Sequence, residues 1–188
     1  MVIRILPNAD ALAAAAADEI AQRLSPASGG RDVGLAGGST PQAAYRRLAE
    51  RPLPWSEVHA WMTDERHVPI DHPESNAGMA RRALFDHVPA TLHTVPWHEA
   101  AMEAAAAFER HLASILPLGP AGIEPWLVVL GVGEDGGEDL RLVGARHDEH
   151  GVPRSGEETG GGGEPPASPR NVGRHEIAID RVERGGTR

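Results

Sequence analysis

The sequence predicts an α/β fold, an open and mostly parallel sheet with helices on both faces. Short apolar runs alternate with stretches of helical period along residues 1–136, and strands that alternate with helices favour a parallel sheet. Residues 126–130 are a continuous apolar run, which is typical of a strand covered on both faces. The chain of 188 residues is long enough for one such domain with its own core.

Two long stretches show the period of an amphipathic helix. The first follows a strand predicted at residues 2–6, and Asn8 or Asp10 can cap it. Its apolar side chains recur three or four residues apart and are Leu12, Ala16, Ile20 and Leu24. The second stretch spans residues 98–116, and its apolar side chains are Met102, Ala105, Phe108, Leu112 and Ile115.

A glycine-rich turn joins the next strand and helix. Residues 32–36 predict a buried strand, and residues 42–48 predict a helix with Pro41 at its first position. Unpaired backbone N–H groups and the helix dipole converge at such a helix start, so the turn is a candidate anion site. An ordinary capped turn without a ligand explains the same residues, and both interpretations stay open here. The turn consists of Gly37, Gly38, Ser39 and Thr40.

A charged cluster follows the strand predicted at residues 58–63. Arg66 offers a planar guanidinium for a phosphate or a carboxylate, and Asp64 or Glu65 can orient a hydroxyl group or move a proton. A solvated turn with a local ion pair is the alternative, and such exposed pairs contribute little stability. We favour a ligand site, because three loops of this kind follow strands and the carboxyl ends of parallel strands share one edge.

Two histidines and a helix start follow the charged cluster. His67 and His72 lack the spacing of a helical zinc pair, so we favour surface histidines over a metal site. Ser75 and Asn76 precede a predicted helix, where they either donate to a ligand or cap the helix. Further along, the glycines after residues 126–130 have the spacing of a dinucleotide-binding turn. We reject that function because no convincing helix, and no second strand with a ribose-binding acid, follows them. These glycines are Gly131, Gly133 and Gly136.

The composition excludes several classes of function. The net charge of −9 argues against nucleic acid or an anionic membrane as the main partner. The absence of cysteine excludes a disulfide framework, a thiolate nucleophile and a cysteine metal site. The sequence has neither a signal pattern at its N-terminus nor an apolar run that could span a bilayer. We therefore expect a cytoplasmic protein, with a monomer favoured.

The character of the chain changes near residue 137. We divide it into an α/β domain at residues 1–136 and a tail at residues 137–188 that is rich in Gly, Pro and Arg. The tail has no Phe, Trp or Tyr, and such a composition buries too little apolar surface to offset chain entropy. Only residues 176–180 alternate as a strand does. We expect an incomplete sheet and an irregular, poorly ordered tail in which residues 176–180 are the one candidate strand.

Four motifs in this order resemble the 6-phosphogluconolactonase family, within a wider group that includes glucosamine-6-phosphate deaminases and isomerases. The resemblance covers roughly residues 1–136, and several spaced motifs make it more specific than any one loop. The Thr-Asp-Glu-Arg form with Val-Pro after it resembles the lactonases more than the deaminases. The motifs are LAGGSTP at residues 35–41, WMTDERHVP at 61–69, Ser75-Asn76, and LGVGEDG at 130–136.

This resemblance implies a Rossmann-like hydrolase that converts 6-phospho-D-glucono-1,5-lactone to 6-phospho-D-gluconate in the pentose phosphate pathway. It implies a small phosphorylated sugar lactone as the ligand and no metal or organic cofactor. By resemblance, Asp64 and Asp135 line the sugar and are the catalytic candidates. The candidates for binding phosphate and substrate are Gly37, Gly38, Ser39, Thr40, Arg66, Ser75, Asn76, Gly131 and Gly133.

The resemblance stops at one point. The family's third motif continues Asp-Gly-His, and its histidine is the expected general acid/base, but Gly137 stands in that place here. A reading-frame shift in a GC-rich gene would produce this break, and an intact Asp-Gly-His continuation in a neighbouring frame of the DNA would support it. Two alternatives to an active lactonase therefore stay open. They are a catalytically impaired fragment that binds sugar phosphates and a relative of the sugar-phosphate isomerases and deaminases.

Overall fold

The protein's computed structural model describes residues 2–29, 31–119, 122–132, 139–145 and 175–182. Within these ranges the chain forms a large sheet and a small hairpin, with helices between the strands. The strands are β1 (Val2–Leu6), β2 (Asp32–Leu35), β3 (His59–Met62), β4 (Thr91–His93), β5 (Leu118–Gly119), β6 (Gly122–Ile123), β7 (Leu127–Val132), β8 (Asp139–Ala145) and β9 (His175–Val182). The α-helices are α1 (Ala9–Arg23), α2 (Ser39–Leu48), α3 (Asn76–Ala80) and α4 (Ala101–Ile115).

The large sheet has the strand order β1-β9-β8-β7-β2-β3-β4. β2 pairs in parallel with both β3 and β7, β3 with β4, and β8 with β9. β9 is antiparallel to β1, and β8 is antiparallel to β7. The prediction of an open and mostly parallel sheet is confirmed. β5 and β6 form a separate antiparallel pair that the sequence did not predict.

Apolar side chains cover both faces of the sheet, because successive residues of a strand point to opposite sides. On β3, Ala60 and Met62 belong to the larger apolar cluster, which α1 and α2 also enter. Trp61 points the other way and packs with Phe108 of α4 and with Leu116. Helices on both faces were predicted, and this alternation along one strand accounts for them.

Two predicted helices begin elsewhere than expected. α2 begins at Ser39, so Pro41 is its third residue and not its first. Gly38 takes the N-cap position with a φ of 113°, a backbone conformation that glycine adopts without steric cost. α4 begins at Ala101, and Met102 from its predicted apolar side is 82% exposed while Phe108 is 8% exposed. The helical period was right, but the sheet covers only the middle of that apolar side.

Two strands lie within the predicted tail. β9 confirms the strand expected at residues 176–180. β8 was not expected, and its backbone pairs with β7 on one side and with β9 on the other. Such pairing is set by neighbouring strands, so the composition of the tail gave no sign of it. Residues 146–174 and 183–188 lie outside the described residues, and the boundary after residue 136 stays a prediction. Among the helices described, none is long and apolar enough to cross a membrane.

Three histidines connect the edge of the sheet to α4. His59 Nδ1 on β3 lies 3.0 Å from His93 Nε2 on β4, and His93 Nδ1 lies 2.9 Å from His111 Nε2 on α4. Burial lowers the pKa of His93 from its ordinary value of 6.5, and the charges of His111 and His59 lower it further. The folded protein therefore favours the neutral form of His93.

We expect acidification to destabilise the protein partly through His93. A histidine with a lowered pKa binds fewer protons in the folded chain, so the free energy of unfolding falls as the pH drops through the unfolded value of about 6.5. Thermal melts between about pH 7.5 and about pH 5.5 should show a smaller loss of stability in His93→Gln than in the wild type. His87→Gln, an exposed histidine outside this chain of rings, is the control. An equal loss in wild type and His93→Gln would contradict the prediction.

Candidate functional site

Three loops meet at the edge of the sheet where β2, β3 and β7 end. Gly37 follows β2 and contacts Asn76 so closely that a Cβ on Gly37 would overlap the Asn76 amide group. Asn76 in turn holds Asp64, which follows β3. A Cβ on Gly131, near the end of β7, would lie 3.9 Å from the Gly37 carbonyl oxygen. The predicted convergence is confirmed for Gly37, Asp64 and Gly131; Gly131 is still part of β7, and residues 133–138 after it lie outside the described residues.

Asp64 is fixed by a buried amide. Asn76 is 8% exposed, and its Nδ2 donates to Asp64 O at 3.1 Å and to Asp64 Oδ2 at 2.9 Å. Asp64 itself is exposed to solvent. Its carboxylate is therefore held in one direction at the protein surface, as a group that binds or deprotonates a ligand must be.

Glu65 turns inward and caps α3. Its Oε1 accepts from the backbone N–H of Asn76 at 2.8 Å, and its Oε2 accepts from that of Ala77 at 2.8 Å. Oε1 also accepts from the N–H of Arg66 at 2.8 Å. A carboxylate at a helix N-terminus satisfies unpaired donors and matches the helix dipole. Of the two carboxylates in this charged cluster, Asp64 is therefore the one available for sugar or proton chemistry.

Ser75 completes the same cap. Its hydroxyl oxygen accepts from the N–H of Gly78 at 3.0 Å, and the side chain is 1% exposed. The capping role, one of the two that the sequence left open, is the one observed for Ser75. Ligand binding by Ser75 or Asn76 stays a prediction.

The start of α2 is open in a way that the start of α3 is not. No side chain caps α2, whose N-cap residue is Gly38, and Ser39 is exposed in its first turn. The first backbone N–H groups of this ten-residue helix therefore point toward the shared edge of the sheet without a side-chain acceptor among the described residues. This supports the anion-site interpretation of the glycine-rich turn.

A cleft of about 690 Å³ lies between the Asp64–Arg66 loop and α4. Asp64, Arg66 and His67 form one wall, Phe108 of α4 lies on the other, and Trp61 also lines the cleft. Arg66 is exposed, and in the described part of the chain its guanidinium forms no ion pair. The glycine-rich turn is not among the residues that line this cleft. The two candidate phosphate contacts thus approach the Asp64 loop from different sides.

The histidines of this region are engaged in local contacts. The Nε2 of His67 lies 2.9 Å from the carbonyl oxygen of His98, and its ring centroid is 5.0 Å from that of Trp97. Within the residues that the structure describes, no group of three histidine, cysteine or carboxylate side chains could hold a metal ion.

Tyr45 is a residue near the site that the sequence did not single out. Its hydroxyl donates to the carbonyl oxygen of Ala36 at 2.9 Å, directly before Gly37, and the ring is fully buried. Burial raises the pKa of Tyr45 well above its ordinary value of 10, and the charge of Asp64 raises it further. The phenol therefore stays a hydrogen-bond donor and anchors the glycine-rich turn. Its position on the apolar side of α2 was the only signal available, and that position indicates core packing rather than this bond.

The rest of the third loop cannot be placed in the site. Gly133, Asp135 and Gly136 lie outside the described residues, as does Gly137. The predicted roles of Gly133 and Asp135 therefore stay predictions. Gly131 is the member of this loop that lies beside Gly37.

We expect Gly37→Ala to destabilise the protein by about 1–3 kcal/mol, the usual cost of overpacking. The added methyl group would overlap the Asn76 amide, which cannot move without losing its hydrogen bonds to Asp64. Gly131→Ala is the matched control, since among the described residues its methyl group would meet only an ordinary contact at 3.9 Å. Chemical denaturation measures both variants. A Gly37→Ala protein as stable as Gly131→Ala would contradict the observed packing.

The chain is similar in sequence to proteins of a known family. Residues 7–137 match the family described as glucosamine-6-phosphate isomerases/6-phosphogluconolactonase. The chain is 39% identical over 142 residues to a 6-phosphogluconolactonase of Nostoc sp., an alignment that covers 71% of this chain and 59% of that protein. It thus spans less than two thirds of the length of this relative.

Two solved structures are similar to this chain in fold. The crystal structure of the devB protein superposes with a TM-score of 0.63 at 29% identity, covering 73% of this chain and 59% of the other. The 6-phosphogluconolactonase of Trypanosoma brucei superposes with a TM-score of 0.52 at 31% identity, covering 62% and 53% of the two chains.

Proposed function

Because the chain belongs to the glucosamine-6-phosphate isomerase/6-phosphogluconolactonase family, we propose that its site binds 6-phospho-D-glucono-1,5-lactone and hydrolyses it to 6-phospho-D-gluconate. The observation that carries this proposal is the junction of the glycine-rich turn, Asp64 and Gly131 at one edge of the sheet. It places an open helix start, an exposed guanidinium and a fixed carboxylate around one loop. These groups suit a phosphorylated polyhydroxy ligand, because the first two donate to a phosphate and the carboxylate accepts from hydroxyl groups.

The positively charged and N–H groups of the site are assigned to the phosphate, and the Asp64 carboxylate is assigned to the sugar or the attacking water. Arg66, in the cleft, and the N–H groups at the start of α2, on another side of the Asp64 loop, are the two candidate contacts for the phosphate, because each offers donors to an anion without an internal acceptor. Asp64 accepts hydrogen bonds from the sugar hydroxyls or takes a proton from the attacking water. Water adds to the lactone carbonyl, the ring C–O bond breaks, and the released oxygen takes up a proton to give the free acid. No metal or organic cofactor takes part, and the protein acts as a cytoplasmic monomer.

A catalytically impaired fragment is the second candidate. The observation that favours it is Gly137, which stands where the resembling family has its histidine. Such a fragment would bind the phosphorylated product through Arg66 and the glycine-rich turn, yet transfer the proton poorly.

One pair of measurements tests the proposal. A thermal melt with 6-phosphogluconate should raise the melting temperature by more than the same concentration of gluconate, which lacks the phosphate. Acid release from the phosphorylated lactone should then exceed the spontaneous rate. Stabilisation without acid release would favour the binding fragment, and ammonia release from glucosamine 6-phosphate would favour a deaminase relative. No stabilisation by 6-phosphogluconate would contradict the proposed site.

A further inference from the structure

The Asn76 side chain lies at the junction of three chain segments. It belongs to α3, it packs on Gly37 after β2, and it donates to Asp64 after β3. Its backbone N–H is tied as well, through the bond to Glu65 Oε1. With 8% exposure, the amide is almost entirely enclosed by these neighbours.

The donor capacity of this amide, though not the acceptor capacity of its oxygen, is already used. A side-chain amide nitrogen carries two hydrogens. Asp64 O accepts one at 3.1 Å and Asp64 Oδ2 accepts the other at 2.9 Å. No donor of Asn76 is left for a ligand, although the sequence offered this residue as a binding group.

We propose that Asn76 is the positioning residue of this site, which aims the Asp64 carboxylate and locks the Asp64 loop against the glycine-rich turn. Its effect on a ligand is exerted through Asp64, so the ligand part of the proposal rests on the proposed function. Among the described residues, Asn76 is the hydrogen-bond donor to the Asp64 carboxylate. Without it, an exposed carboxylate would be free to rotate and Gly37 would lose the group it packs against.

A charge introduced at residue 76 distinguishes the proposed hydrogen-bonding role of Asn76 from a role in which the side chain only fills space. Asn76→Asp keeps the shape but places a second carboxylate where a donor stood. Asn76 Nδ2 lies 2.9 Å from Asp64 Oδ2, and two carboxylates this close cannot both ionise without a cost in free energy. The folded pair therefore retains a proton that the unfolded chain releases. The folded variant binds more protons, and its stability therefore falls as the pH rises. Among the described residues, the other ionisable groups around the pair are Glu65, Arg66 and the Tyr45 phenol, and they are the same in every variant compared.

Thermal melts between about pH 5 and about pH 8 provide the readout, since this range covers the titration of a shared carboxylate proton. The melting-temperature deficit of Asn76→Asp against wild type should grow with pH, whereas that of Asn76→Ala should stay constant. The double variant Asp64→Asn/Asn76→Asp restores a donor opposite an acceptor and should remove the pH dependence. An Asn76→Asp protein that melts like wild type at every pH, or a double variant that keeps the pH dependence, would overturn the proposal.

A binding measurement tests whether Asn76 affects ligand affinity through Asp64. At about pH 6, Asn76→Ala should bind 6-phosphogluconate roughly tenfold more weakly than wild type, as expected for loss of an aimed carboxylate. Unchanged affinity for 6-phosphogluconate would overturn the positioning role. If wild type itself does not bind 6-phosphogluconate, the proposed function fails, and the pH series of melts still decides whether Asn76 holds Asp64.

Discussion

Arg66→Ala should weaken binding of 6-phosphogluconate about tenfold or more while leaving binding of unphosphorylated gluconate unchanged. A charge-assisted hydrogen bond contributes about 1.5–3 kcal/mol, and the phosphate is the group that only one of the two ligands carries. Arg66 is suited to this role because it is exposed, lines the cleft and forms no ion pair within the described residues. Isothermal titration with both ligands measures the difference.

Arg46→Ala is the matched control for this experiment. Arg46 is also exposed, but it lies in the last turn of α2, at the end of the helix away from the glycine-rich turn. Its removal changes the net charge equally and should leave both affinities near the wild-type values. An equal loss for the phosphorylated and unphosphorylated ligands in Arg66→Ala would show that Arg66 supports the fold and does not bind phosphate.

The sequence predicts the sheet well because apolar runs and the loops after them are local features. The run at residues 126–130 is typical of a covered strand, and β7 is a central strand with β2 and β8 on either side. The polar and glycine-rich loops could be placed at one edge from a general property of parallel sheets. This property predicts the shared edge at which Gly37, Asp64 and Gly131 lie.

The division of roles within the site could not be predicted in the same way. Glu65 and Asp64 are neighbours of the same charge type, and nothing local tells which of them turns inward. The choice depends on α3, whose backbone N–H groups at Asn76 and Ala77 lie eleven and twelve residues further along the chain and bind Glu65. Asn76 is a second case, because its amide is engaged by a carboxylate twelve residues away. Such contacts are set by packing, which periodicity does not report.

β8 is a strand that the composition of the sequence did not predict. Its residues sit in a segment whose overall composition argues against burial of much apolar surface. The strand nevertheless pairs along its backbone with β7 and β9, and backbone hydrogen bonds do not depend on composition. The mean composition of residues 137–188 thus concealed the segment at residues 139–145, which together with the expected strand β9 extends the sheet to β1.

Hydrolysis of 6-phospho-D-glucono-1,5-lactone by this chain should be about 10²–10⁴-fold slower than by a family member with an intact Asp-Gly-His motif, since general acid–base catalysis is typically worth that factor. Product binding should survive, because Arg66 and the glycine-rich turn are present, whereas the imidazole of the Asp-Gly-His motif is a proton-transfer group that Gly137 cannot supply. Acid release under matched enzyme concentrations, corrected for the spontaneous rate, measures the difference.

Three variants separate the possible causes of whatever turnover is observed. Gly137→His should recover only part of the rate, because residues 138–163 lack a continuous apolar face and include a glycine run, so they are poorly suited to form the helix that would aim the ring. Asp64→Asn and Asp135→Asn should each reduce any remaining turnover if these carboxylates act on the sugar. Turnover equal to that of an intact relative and unchanged in both variants would overturn the assigned roles. Equal turnover that is lost in both variants would instead leave the site correct and make the missing histidine dispensable, with the Asp64 carboxylate that Asn76 holds as the group best placed to accept the proton from water.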